Sequence, residues 1–114
     1  MPVDKTNEID FANINYNTGD LWLTISDQMP WDKNEGVHLL FLQKKINRYL
    51  DFIESGEVFA KIPQSRGRNF VINLVGKFPL SQKAQSFFDL ARNSIEESGF
   101  QIRFEILNSL SSDE

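Results

Sequence analysis

Phe70-Val71-Ile72-Asn73-Leu74-Val75 is apolar on both of its alternating sets, and that double reading decides the fold. A strand with one wet face alternates apolar and polar residues, whereas a strand covered on both faces reads as a near-continuous apolar run. This stretch is therefore expected near the centre of a sheet. Upstream of it, Leu39, Leu42, Ile46, Tyr49, Leu50 and Ile53 recur at three- and four-residue spacing, and Gly56 offers a left-handed stop, which predicts a long amphipathic helix. Its start is expected at Asp32-Lys33-Asn34-Glu35, an acid-x-x-Glu arrangement in which Asp32 accepts from early backbone N–H groups, with Trp31 as a hydrophobic staple. Downstream, Pro79 and Ser81 introduce a second helix that carries Ala84, Phe87, Phe88, Ala91 and Ile95 on one side and closes at Gly99.

Beyond these helices lie the remaining strands. Ile9 to Tyr16 and Leu21 to Ser26 alternate around the turn cluster Asn17-Thr18-Gly19-Asp20 and read as a β-hairpin. Leu21, Leu23 and Ile25 share one face, and Trp22 and Thr24 the other. In the last strand, Phe100 to Leu107, the residues Phe100, Ile102, Phe104 and Ile106 point inward and Gln101, Arg103 and Glu105 outward. Val58 to Arg68, with Pro63 and Gly67, is read mostly as loop. The order strand, strand, helix, strand, helix, strand, closed by right-handed crossovers, predicts an α+β two-layer sandwich: a mixed four-stranded sheet with both helices on one face and the other face partly open. The place of the first strand, edge or centre, stays open.

Composition bounds the function. A chain of 114 residues is expected to remove roughly two-thirds of its extended surface on folding, enough for one domain over residues 1–107, with a loose tail at 108–114. Ten phenylalanines supply bulk without disulfides or a structural metal. Twelve basic against sixteen acidic residues leave a net charge of −4, which disfavours a nucleic-acid partner. No apolar run approaches a membrane span, and Met1 to Asp10 has neither the basic start nor the apolar stretch of a secretory signal. With no cysteine, the cytoplasm is the expected compartment.

Leu23-Thr24-Ile25-Ser26-Asp27, Trp31-Asp32 and Tyr49-Leu50-Asp51-Phe52-Ile53-Glu54-Ser55-Gly56-Glu57 resemble a family of small uncharacterised bacterial proteins, a domain of unknown function. So do Gly67-Arg68, Val71-Ile72-Asn73, Gly76-Lys77-Phe78-Pro79-Leu80 and Ser98-Gly99-Phe100, so that the resemblance runs from about Ile9 to Ile106. It implies a bacterial source and no activity, and it lends no functional residue.

Candidate sites follow from residue types. The sole histidine, His38, lies near Asp27, Asp32 and Glu35, but one nitrogen ligand is too few for a protein zinc site, and no nucleophile accompanies it. No catalytic, cofactor-binding or metal-binding residue is assigned. Lys61, Arg66 and Arg68 surround Gly67 in a turn suited to a phosphate or carboxylate, with Lys77 as a further cation. Phe41 and Phe52 lie about 20° apart on the first helix, beside Lys45 and off its core stripe. They are read either as a contact surface for a second copy or another protein, or as a flank covered by Val58-Phe59 or the N-terminal arm. Trp22, with Val71, Val75 and Asn73, forms a further candidate patch on the open sheet face. The chain thus reads as a non-catalytic module that binds a protein partner or itself, with an anion-binding domain or enzyme built on the Arg66/Arg68 loop as the alternative.

Overall fold

A computed structural model of the chain describes residue 9 and residues 11–107; the tail expected at 108–114 lies outside the described residues. Four strands, β1 (Phe11–Ile14), β2 (Leu21–Asp27), β3 (Phe70–Gly76) and β4 (Gln101–Ile106), form one mixed sheet in the order β1-β2-β3-β4. β1 pairs antiparallel with β2, while β2 with β3 and β3 with β4 are parallel. The first strand is thus an edge, because the hairpin turn permits only neighbouring pairing and β2 spends its other side on β3.

Helices α1 (Glu35–Glu54) and α3 (Gln82–Glu97) make the two crossovers, with a short α2 (Glu57–Lys61) and one 3-10 turn (Pro63–Ser65) between α1 and β3. Leu42, Ile46, Tyr49 and Ile53 of α1 and Ala84, Phe88 and Ile95 of α3 join Leu21, Leu23, Ile25, Phe70, Ile72, Leu74 and Ile102 in a single core. Both long helices therefore cover one sheet face, and the sheet residues they cover are those expected to point inward. The Tyr49 hydroxyl donates to the Thr24 carbonyl at 2.8 Å, so the ring is buried without stranding its polar end.

Two local expectations fail. Val58–Arg68 is not mainly loop: Gly56 at φ 86° turns the chain directly into α2, and Val58 seals the core beneath it. The capping box at Asp32 does not form either. Helix α1 begins at Glu35, and its N-cap is Asn34 in the left-handed region, at φ 50° and ψ 45°, without a side-chain cap. Trp31 is drawn into the core instead, and Asp32 stays exposed ahead of the helix. At α3 the expected start does form, with the Ser81 hydroxyl accepting from the Ala84 N–H at 3.1 Å.

Candidate functional site

The face of the sheet opposite the helices is built by the outward sets of three strands, aligned in rows. Trp22, Val71 and Gln101 make one row, Thr24, Asn73 and Arg103 the next, and Ser26, Val75 and Glu105 the third. The Arg103 guanidinium reaches diagonally to lie 5.0 Å from the Trp22 ring centroid, a cation–π contact worth about 0.5–1 kcal/mol when exposed. Asn73 donates to Glu105 at 3.3 Å, and Arg103 pairs loosely with Glu105 at 3.5 Å. Beneath this lattice two polar atoms are buried without a partner: the Trp22 indole N–H, a donor, and the Asn73 Oδ1, an acceptor. Asn73 itself is 5% exposed, whereas Arg103 and Glu105 are about half exposed and form the rim. A buried polar group left unbonded costs about 1–3 kcal/mol, and a donor and an acceptor held this way on adjacent strands make this face the candidate site.

A second cluster sits at the carboxyl end of β2. Asp27 Oδ2 and His38 Nε2 are 2.6 Å apart and both residues are buried, and His38 Nδ1 lies 3.3 Å from the Pro30 carbonyl. Asp27 Oδ1 accepts from the Met29 N–H at 3.0 Å, and the Trp31 ring stacks on the imidazole with centroids 3.5 Å apart. With both ring nitrogens engaged and the ring fully covered, His38 has no free position for a metal or a substrate. The arrangement ties the end of β2 to the first turns of α1. It also explains Trp31, which packs on His38 rather than acting as a staple over a capped helix.

The other sequence candidates do not converge. Arg68 is spent on the backbone, donating to the Gln64 carbonyl at 2.8 Å and to the Gly19 carbonyl at 2.8 Å, and so pins the hairpin turn to the 3-10 turn. Arg66 points elsewhere, its guanidinium 4.6 Å from the Phe59 ring centroid. Lys61 lines a separate cleft of about 370 Å³ with Ile9, Ala12, Arg48, Phe52, Glu57 and Ile62, in which Arg48 is already paired with Glu57 at 3.2 Å. Lys77 lies beside Phe78, 5.8 Å from its centroid. Of the proposed flank on α1, Lys45 and Phe52 are buried and Phe41 is half-buried against the core, to which Val58 and Phe59 also contribute. The covered reading of that flank is the one the structure supports; exposed aromatic surface is retained at Trp22 and Phe41 only in part.

A family model described as Family of unknown function (DUF6572) matches residues 1–108. The chain belongs to this family. No curated protein and no solved structure matches it. Among the described residues of this DUF6572 member, no helix is long and apolar enough to cross a membrane, and no group of three or more His, Cys, Asp or Glu could hold a metal ion. Sequence reasoning singled out Trp22, Val71, Val75 and Asn73 but missed Arg103 and Glu105. The available signal was Asn73 itself: one amide in an otherwise apolar central strand calls for polar neighbours, and the outward set of the last strand supplies them.

Proposed function

We propose that this protein is a bacterial, cytoplasmic binding module without catalytic activity, and that it recognises a protein segment through the open face of its sheet. The observation that carries the reading is the pair of buried, unbonded atoms, the Trp22 N–H and Asn73 Oδ1, on neighbouring strands. A peptide group offers one carbonyl and one N–H, the complement of that pair, and Arg103 and Glu105 at the rim add a charge of each sign for orientation. The aromatic and Arg composition of the patch is that of interface anchors. The anionic-ligand alternative has less support, because Arg68 holds carbonyls and Lys61, Arg66 and Arg68 do not line a common cleft.

The test is affinity capture from the native lysate with wild type, Trp22→Ala and Leu90→Ser, each checked for folding by circular dichroism. Leu90 is 71% exposed on the helix layer and serves as the control face. The expected result is a protein captured by wild type and by Leu90→Ser and lost by Trp22→Ala. Capture that survives Trp22→Ala, or no specific capture by wild type, overturns the reading.

A further inference from the structure

Among the described residues β4 ends the sheet, and its unpaired edge is of the kind that proteins usually blunt. Gln101-Ile102-Arg103-Phe104-Glu105-Ile106-Leu107 contains no Pro, Gly or Lys, and among these residues Ile106 and Leu107 are 47% and 50% exposed. The Leu107 N–H donates to the Gly76 carbonyl at 2.7 Å. In a parallel ladder a residue directs its N–H and C=O to the same side and its neighbours direct theirs to the other. Leu107, Glu105, Arg103 and Gln101 therefore face β3, and Ile106, Phe104 and Ile102 present their backbone groups to the open edge.

We propose that the protein forms a two-fold dimer in which β4 pairs antiparallel with β4 of a second copy, centred on Phe104, to give one continuous sheet. Two independent features select this occupant and this register. Hydrogen bonding requires outward residues to meet outward residues, so Phe104 bonds its own counterpart and Ile102 bonds Ile106 of the second copy. The same centre sets Gln101 opposite Leu107. It also places each Arg103 opposite a Glu105 on the open face, a favourable cross-strand charge pair on both sides of the axis. Centring on Arg103 or on Glu105 instead sets like charges directly opposite one another. An isologous contact of this type closes on itself and, among the described residues, leaves only the four-residue β1 strands as edges, so it ends at the dimer rather than running on as a fibre. The inference stands on the backbone direction and charge order of β4, independently of the reading of Trp22 and Asn73.

Sedimentation velocity of the full chain over about 10 to 1,000 μM, the range of a weak specific contact, tests it with three variants. Wild type is expected to shift from monomer to dimer across the range. Arg103→Glu and Glu105→Arg are each expected to weaken association about tenfold or more, because each sets two like-charge pairs across the axis. An equimolar mixture of these two variants restores opposite charges at both positions and is expected to recover the dimer. Ile106→Pro removes an outward N–H without touching the ladder to β3, and is expected to remain monomeric with an unchanged far-ultraviolet spectrum. A wild type that stays monomeric throughout, a dimer indifferent to Ile106→Pro and to the charge reversals, or a mixture that fails to recover association each overturns the proposal.

Discussion

Asp27 shows how much a single side chain carries in this protein. One carboxylate oxygen meets His38 at 2.6 Å and the other holds the Met29 N–H, while the Asp27 carbonyl accepts from the Lys77 N–H at 2.9 Å. Removing one partner of a buried hydrogen-bonded pair leaves the other unsatisfied, at a cost of about 1–3 kcal/mol. Asp27→Ala is accordingly expected to lower stability by that amount in urea denaturation, and Asp27→Asn by less, since the amide oxygen still accepts from Met29. A loss under about 1 kcal/mol for Asp27→Ala would show that the pair is not a structural lock. Gly76, the last residue of β3, is constrained by space rather than by charge. A Cβ there would stand 2.9 Å from a carbon of the Phe104 ring and 3.1 Å from the Phe78 carbonyl oxygen. Gly76→Ala is expected to cost about 1–3 kcal/mol by overpacking, and a midpoint equal to wild type in the same titration would contradict it.

At the scale of elements, the two long helices begin by different means, and the contrast is measurable. Ser81 caps α3 through the Ala84 N–H, so Ser81→Ala is expected to cost about 1 kcal/mol. Asp32, which sequence spacing marks as the cap of α1, is exposed and outside the helix, so Asp32→Ala is expected to fall within about 0.5 kcal/mol of wild type. Chemical denaturation of both variants checks the pair, and a larger effect at Asp32 than at Ser81 would reverse the assignment. The difference also shows what was legible. Ser81 lies two residues after Pro79, and its cap bond to the Ala84 N–H needs only residues of its own turn, so local preference decides. At α1 the local preference of Asp32 loses to the burial of Trp31 on His38, a contact between residues seven apart that periodicity does not encode. The strands were legible for the opposite reason: alternation in β2 and β4 and its absence in β3 report burial directly, and the observed register preserves each set on its expected face. The Asp27–His38 contact was half legible, since the two residues were seen to be near in sequence, but the bend that buries them was not.

Across the whole molecule, the sheet divides two kinds of order. On one side the helices bury a dense apolar core; on the other a thin layer of Trp22, Asn73, Arg103 and Glu105 lies over the strands with two polar atoms unbonded. The expectation that residues 1–107 form one cooperative unit can be tested because each side holds one tryptophan: Trp31 against His38, and Trp22 beneath Arg103. Trp31→Phe leaves fluorescence to report the open face, and Trp22→Phe leaves it to report the end of α1. In a two-state domain every probe follows the same transition. Within each variant, the fluorescence and far-ultraviolet dichroism curves in urea are therefore expected to superimpose, even though the two midpoints differ from one another by the cost of each substitution. Strand β2 is the physical reason: Trp22 and the core residues Leu21 and Leu23 are consecutive on one strand, so the open face cannot lose its backbone frame while the core keeps its own. A fluorescence transition that precedes the dichroism curve only in Trp31→Phe would show instead that the Trp22–Arg103 layer loosens ahead of the core, and would separate the binding surface energetically from the fold that carries it.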